Sequence, residues 1–578
     1  MGSLQIDPAI DEESFDVVII GAGMSGLYAA RAYLAIQPSI NLVVVESLAS
    51  VGGVWSRERI YPGLNVQTAP EYFEFPEFRY KDMDPPAEYN GKGYMTGPSW
   101  SRYFEAWTEK VGLNKYIRLN TSVRQVTRHE DGIRWKCHIG DGQKVYITDK
   151  LIVAAGITSS PKYPDLDWSK FTKPVIHHRY FGERSKEWDN EDVKHVTVYG
   201  GGKGSMDNIV QLAKAGKKIT WLIRKEGRGP VWILDGKLPN GKRAEALGFS
   251  RILALLMPSL YHDSGFSGLH YFFKRNFFGR WFSRFFMNTS KGIAMSQMKP
   301  LTDNVRRAVP ELPPFWMYHV IGVNNYDVKI YDLFRDGTVE VVRDSMTSLE
   351  GNTVGLASGA KFETDAVVFA TGWKANLSLF SDNLELEMNL GMPSTNYTDG
   401  YLQKWKALED EADKRVFTEN PILKDAPKPP RIPPQDSGPF RLYHYAVPTE
   451  FADRSIAFLG VAPSTGMSHF SMIMGLWTAA YLTGKLDLPS KEEMEKVAAF
   501  ELRFTQIRHV GLSNEFPLIT FDWMSVAAEF LKETGVNPYM KGGYFSEIFS
   551  AYTADDYTDL FDKWIAKHGI VGKPKGAD

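Results

Sequence analysis

The stretch DVVIIGAGMSGL, residues 16–27, decides the reading of the fold. An apolar run of strand character ends on Gly21-x-Gly23-x-x-Gly26 and passes directly into the helix-like LYAARAYLA. Glycines at this spacing permit a tight turn, let a pyrophosphate approach the backbone and let strand and helix pack closely, while the helix N-terminus favours negative charge. The next strand, LVVVE, ends on Glu46, where a carboxylate can hold both ribose hydroxyls of an adenosine.

The same design returns at VTVYGGGKGSMD, residues 196–207. Gly200-x-Gly202 is kept and Ser205 replaces the third glycine, a small side chain that a slightly wider strand–helix separation accommodates. The following strand, ITWLIRK, ends on Arg224 and Lys225 instead of an acid, and these cations can pair with a 2′-phosphate. One turn therefore suits a flavin dinucleotide, FAD, and the other a nicotinamide dinucleotide that reduces it, NADPH in preference to NADH.

The whole chain is consistent with that reading. Its 578 residues exceed the roughly 250–300 at which single cores stop growing, so two or more domains are expected. A formal charge of -2 is too small for nucleic-acid steering, and no nucleic-acid partner is expected. Cys137 is the only cysteine, which excludes an internal disulfide, a CxxC redox pair and a cysteine-based zinc site, and fits an intracellular, cytoplasmic setting. The N-terminus is polar and acidic, and no run reaches the ~18 apolar residues of a spanning helix, so neither secretion nor membrane spanning is expected.

Residues 16–20, 42–45, 151–154, 195–199, 219–223 and 366–370 are short Val/Ile-rich runs, as in buried parallel strands. The expected fold is α/β, with two Rossmann-like dinucleotide-binding domains, a helical insertion and a helical C-terminal tail. The FAD-binding domain is expected over 1–165 and 363–485, the NADP-binding domain over 166–362 with the insertion at about 230–315, and the tail over 486–578. KDAPKPPRIPPQDSGP, 424–439, is too proline-rich for a helix or central strand and reads as a loop. In the tail, Ser490 and Glu493 form a capping-box pattern, and Gly535 suits the end of the helix AAEFLKETG.

LHYFFKRNFFGRWFSRFFM, 269–287, crowds Phe around Lys274, Arg275, Arg280 and Arg284. Aromatic stripes usually mean core, which favours a core-facing helical hairpin broken at Gly279. The alternative is a basic, aromatic helix lying peripherally on a membrane surface or lining a greasy way in for substrate.

GGVW (52–55), LIVAAG (151–156) and DAVVFATGW (365–373) complete the pattern, the last two being strands that end in small residues where chain crosses close to a cofactor. In this combination the chain resembles the flavin-containing monooxygenase family, class B flavoprotein monooxygenases related to the Baeyer–Villiger monooxygenases, over about residues 15–485. FTKPVIHHRYF, 171–181, is similar to the family's identifying motif, with Phe171, His177 and Phe181 in register and Lys173 in the glycine position. LYHYAVPTEFADRSIAFLGVAPSTG, 442–466, is similar to the late flavin-domain segment and contributes Gly460. The resemblance adds Gly53, Val54, Trp55 and Thr371 to the cofactor-binding residues, and Thr121, Val123 and Val126 as the backbone site against the adenine.

What the resemblance implies is that NADPH reduces FAD, O2 adds to give a flavin C4a-hydroperoxide, and bound NADP+ shields it until a lipophilic small molecule is oxygenated, in specialised metabolism. The protein supplies a dry, positioned pocket. Within YPGLNVQTAPEYF, 61–73, the family's flavin-bordering Asn corresponds to the catalytic candidate Gln67, an amide that keeps donor and acceptor. Baeyer–Villiger relatives place an Asp at this register, an Arg near 320–334 and a Trp at the closing aromatic. Here Gln67 replaces the Asp, VIGVNNYDVKIYDLF offers no arginine, and Phe181 stands for the Trp. Oxygenation or hydroxylation is therefore expected over ketone-to-ester insertion, because a deprotonated peroxide needs a cation to hold it. An NADPH oxidase is a further alternative.

No metal is expected, since the adjacent His177 and His178 cannot readily converge on one ion and lack acidic or Cys partners at ligand spacing. His444 and His469 read as hydrogen-bonded interior histidines. A disulfide reductase on the same scaffold fails because Cys137 has no partner. A regulatory protein that senses NADPH would need only one of the two cofactor signatures.

Overall fold

The computed structural model describes residues 11–238, 241–374, 378–380, 383–429, 438–451, 453–511 and 517–572, without the side chains of 318, 319 and 384. The first sheet contains β1 (Asp11–Ile20), β2 (Leu42–Val45), β3 (Ile117–Arg118), β4 (Val123–Arg128), β5 (Trp135–Ile139) and β6 (Lys144–Val153) in the spatial order β3-β2-β1-β6-β5-β4. One edge of β6 serves two partners. Its first half takes β5 antiparallel, and its second half takes the late strand Ile456–Phe458 parallel, which brings the far end of the chain back into this sheet.

Helices cover the sheet, so β2 and the second half of β1, Val17–Ile20, read as continuous apolar runs. α1 (Met24–Ile36) packs on the helix Met467–Leu482, and small residues set that contact. A Cβ at Gly475 would stand 2.7 Å from the Tyr28 carbonyl oxygen, so only glycine lets the two backbones meet here. α2 (Gly97–Lys110) begins where Thr96 Oγ1 accepts the Ser99 N–H, and it buries Trp100, Tyr103, Phe104 and Trp107 against the loop that carries Phe75.

The second sheet has five strands, all parallel, in the order Val339–Arg343, Lys218–Ile223, His195–Tyr199, Ala366–Phe369 and Val175–His177. α3 (Lys203–Lys214) follows its glycine turn and closes a separate core around Val196, Val198, Ile209 and Trp221. The fold is thus α/β, with two Rossmann-like units, helices inserted between the strands of the second, and a helical C-terminal region.

The aromatic hairpin corrects the sequence reading twice. Its helices, Ser267–Arg275 and Phe277–Met298, break at Asn276, whose side chain caps the second helix by accepting the Phe278 N–H at 2.9 Å. Gly279 instead marks the point of closest approach, where a Cβ would stand 2.1 Å from the Phe272 carbonyl oxygen. Nor do most of the rings face the core; only Phe273 and Phe286 are partly buried against it. Phe277 and Phe278 are each 70% exposed and Trp281 60%, because the first turns of the helix bury the small residues Gly279 and Ser283, whereas Phe286 further along packs inward.

The tail contains the helices Lys491–Arg508, Trp523–Glu533, Tyr544–Phe549 and Leu560–His568. Ser490 Oγ accepts the Glu493 N–H at 3.3 Å, and Gly535 takes a left-handed φ of +75° just past its helix. Of the proline-rich stretch, residues 424 and 425 end the short helix Pro421–Asp425, while 430–437 lie outside the described residues. Among the described residues no helix is long and apolar enough to cross a membrane.

Candidate functional site

At the C-terminal ends of β1, β2 and β6 the first glycine turn opens into a cavity of about 490 Å³. Gly21 has φ +106°, and a Cβ on it would stand 2.4 Å from the Ala154 carbonyl oxygen. Gly26 lies beneath, where a Cβ would stand 2.0 Å from the Gly21 carbonyl oxygen. A Cβ on Gly53 would approach Gly23 Cα to 3.0 Å, so the turn and the GGVW loop meet backbone to backbone. Buried Glu46 accepts the Ala22 and Leu48 N–H groups, each at 2.9 Å, and reaches the cavity beside the turn.

Val54, Trp55 and Gly460 complete the wall. α1 begins at Gly23 with no side chain capping it, so its first N–H groups remain for an anion. An open helix N-terminus, a cradle that any Cβ would fill and a carboxylate beside it fit the dinucleotide that the sequence points to.

Thr121 and Val123 line this cavity, whereas Val126 does not; it is buried in the β4–β5 ladder opposite Cys137. Two arginines that sequence reading missed also line it, Arg59 and Arg179. Arg59 donates to the Thr158 carbonyl at 2.6 Å and lies over Trp373, and burial pulls its guanidinium down to about 10. Arg59 lies in an irregular segment and Arg179 in the short turn His178–Tyr180 of the 171–181 motif, and only the fold brings them to one cavity.

The second turn repeats the geometry. Gly200 has φ +141°, and a Cβ on it would stand 2.2 Å from the Ala370 carbonyl oxygen, while Gly202 has nothing within 4 Å and faces open space. Ser205 does more than fit: its hydroxyl donates to the Gly200 carbonyl at 2.8 Å and ties the turn to α3. Arg224 follows the next strand with its side chain exposed, and Lys225 Nζ lies 3.3 Å from Asp344 Oδ1. Thr371 Oγ1 donates to the Lys162 carbonyl, joining two crossing segments, and does not line the cavity at the first turn.

His178 Nδ1 shares a hydrogen bond with Asn208 Oδ1 of α3 at 2.9 Å, and His177 Nδ1 accepts the Arg179 N–H at 3.1 Å. Among the described residues no group of His, Cys, Asp and Glu could hold a metal ion.

A second chamber, of about 510 Å³, adjoins the first and shares Trp55, Phe73 and Met467 with it. Its remaining walls are largely apolar, including Phe249, Ile293 and Phe521. Gln67 lies in this chamber, and its Oε1 accepts the Val323 N–H at 3.1 Å. Asn325 Nδ2 donates to the carbonyls of Asn65 and Val66, at 2.9 and 3.2 Å, so the segment 320–334 is laced to the loop that carries Gln67.

The two interior histidines differ. His444 is hydrogen-bonded on both sides, Nδ1 to Glu501 at 2.8 Å and Nε2 to Glu533 at 2.9 Å. His469 is not: it is buried among Phe249, Trp523 and Tyr557, neither ring nitrogen has a partner, and burial pulls it down to about 3. Helix Met467–Leu482 is buried almost all round, which keeps that imidazole in the interior.

Residues 18–231 match the family described as pyridine nucleotide-disulphide oxidoreductase. The cysteine pair in that name has no counterpart here, for Cys137 stands alone and buried, its thiol pushed up to about 12 by desolvation. An FAD-dependent monooxygenase of Aspergillus nomiae is 29% identical over 578 residues, covering 96% of this chain and 99% of the relative. One of Alternaria brassicicola is 29% identical over 565 residues, covering 96% and 95%.

Among solved structures, a cyclohexanone-bound cyclohexanone monooxygenase superposes with a TM-score of 0.58 at 15% identity, covering 90% of this chain and 97% of that one. An NADP-bound steroid monooxygenase gives 0.55 at 18%, covering 96% and 98%. At these identities the likeness is one of fold.

Proposed function

We propose that this chain, an FAD- and NADPH-dependent monooxygenase of the flavin-containing (class B flavoprotein) monooxygenase family, oxygenates a lipophilic small molecule in specialised metabolism. The observation that carries the proposal is the shared wall: Trp55, Phe73 and Met467 separate a dinucleotide-shaped cavity from an apolar chamber large enough for an organic substrate. When bound, FAD takes electrons from NADPH and activates O2.

This chain's residues hold and orient. The turns at Gly21-Gly23-Gly26 and Gly200-Gly202-Ser205 receive the pyrophosphates, Glu46 takes the ribose, and Arg224 takes the 2′-phosphate of NADPH. The apolar chamber walls exclude water, and the Gln67 amide is one of the polar groups that line them. The test is to follow NADPH oxidation by the FAD-loaded protein against a panel of lipophilic amines, sulfides, aromatics and ketones. Stimulation of NADPH and O2 consumption together with an oxygenated product supports the reading, and indifference to every lipophilic compound opposes it.

One observation favours a second reading, insertion of oxygen beside a ketone. Such insertion calls for a cation near the reacting oxygen, and Lys203 brings one to the segment that has no arginine. A Cβ at Gly322 would stand 2.7 Å from Lys203 Cδ, and Lys203 Nζ lies 2.6 Å from Asp207 Oδ1 and 3.3 Å from Asn325 Oδ1. Asp207 lines the chamber. An ester or lactone from the ketones of the panel would select this reading over hydroxylation.

A further inference from the structure

The rings left outside by the aromatic hairpin are continuous with a second exposed cluster. Phe266, Ile548 and Leu255 pack together with Phe273 against them, joining the hairpin to the helix Tyr544–Phe549 of the tail. Across that join the Phe266 and Tyr544 rings lie 5.2 Å apart. On one side of it stand Phe277, Phe278, Trp281 and Phe285, on the other Phe545 and Phe549, all exposed. Large exposed apolar patches on a protein surface mark interaction sites.

Charge identifies the partner. Residues 267–298 carry Lys274, Arg275, Arg280, Arg284 and Lys291 and not one Asp or Glu. Lys274 turns inward, its ammonium 2.6 Å from both the Met257 carbonyl and Ser259 Oγ, and Arg284 reaches Asp425. Arg275 and Lys291 remain exposed on the same two helices. A two-fold interface with a second copy would set these cations against themselves. Aromatic rings interleaved with cations suit the headgroup level of an anionic bilayer, which takes up both.

The same helix also reaches the chamber. Phe285 is exposed, while the next residue, Phe286, lines the chamber together with Ile293 and Gln297. We propose that the face formed by Phe277–Met298 and Tyr544–Phe549 docks on an anionic lipid bilayer and turns the Phe286 wall of the chamber toward the lipid, from which a lipophilic substrate passes in. The docking stands apart from the oxygenation chemistry; the delivery of substrate rests on it.

The experiment is co-sedimentation of the full-length, FAD-loaded protein with vesicles of phosphatidylcholine alone or mixed about 2:1 with phosphatidylserine. Two variants accompany it, Phe277→Ser/Phe278→Ser/Trp281→Ser and Arg275→Glu/Lys291→Glu, all at exposed positions outside both cavities. NADPH oxidation in buffer, equal to wild type, reports that each is folded. The wild type is expected to pellet with the anionic vesicles, and binding to fall about tenfold or more in either variant and in high salt. Wild-type protein that stays in the supernatant with both vesicle types overturns the proposal. So does a wild-type dimer in solution that the aromatic variant breaks, which would assign the face to a second copy. Because sedimentation needs no turnover, its failure leaves the proposed oxygenation standing, and absence of oxygenation leaves the docking standing.

Discussion

The Val323 backbone N–H donates to Gln67 Oε1 at 3.1 Å, a bond that ties the loop carrying Gln67 to the segment 320–334. A backbone N–H can only donate, so the amide oxygen is the end that is held and the NH2 is the end left for a ligand. Both Gln67→Ala, which removes the side chain's polar end, and Gln67→Glu, which keeps the acceptor and removes the donor, are expected to lower product formation about tenfold, or ~1.4 kcal/mol. The rate at which NADPH reduces the flavin should change by less than about twofold in either variant, because that step precedes the one proposed for Gln67. Rapid mixing for reduction, and product analysis for the whole reaction, separate the two.

Gly200→Ala introduces a Cβ 2.2 Å from the Ala370 carbonyl oxygen at a φ of +141°. Strain of this kind costs about 1–3 kcal/mol and here falls on the second turn alone. The KM for NADPH is expected to rise about tenfold or more while FAD content stays that of the wild type. Titration of the flavin spectrum and steady-state kinetics check both halves.

Arg224→Ala removes the exposed cation at the end of Lys218–Ile223. A charged contact to phosphate is worth about 1.5–3 kcal/mol, so the KM for NADPH should rise about tenfold to a hundredfold with the KM for NADH little changed. Lys225→Ala is expected to do less, because Lys225 already lies against Asp344. Parallel kinetics with the two coenzymes give the ratio directly.

His444 connects the late flavin segment to Glu501 and Glu533 of the tail. Burial opposes its charge, but the two carboxylates outweigh burial and hold the imidazolium up to about 10. A raised pKa stabilises the fold fully below the unfolded value of about 6.5, and the stabilisation is lost as pH rises toward 10. His444→Asn, chosen because Asn tolerates the φ of +52°, is expected to cost about 3 kcal/mol at pH 6. The difference in Tm from wild type should shrink as the pH is raised from 6 to 10. A difference independent of pH would mean that His444 packs as a neutral ring.

The two glycine turns were legible in the sequence because their geometry is local: Gly21 and Gly200 answer to contacts made within one strand–turn–helix unit and its neighbouring strand. Glu46 was legible for the same reason. The chamber was not, since Gln67, Phe249, Ile293 and Phe521 are brought together only by tertiary folding. The hairpin was misjudged because ring content says nothing of which face packs; Gly279 and Ser283 decide that, and they turn Phe278 and Trp281 outward. Lys203 carries no sequence signal of its own, and only the fold brings Gly322 and Asn325 against it.

The most direct test of the central claim is isotopic. The FAD-loaded protein is given NADPH, 18O2 and the lipophilic compound that best stimulates NADPH oxidation, and the product and the hydrogen peroxide are both measured. The expected result is one 18O atom in the product for nearly every NADPH consumed, with little peroxide. Peroxide equal to the NADPH consumed and no labelled product, for every compound tried, would contradict a monooxygenase and leave an NADPH oxidase.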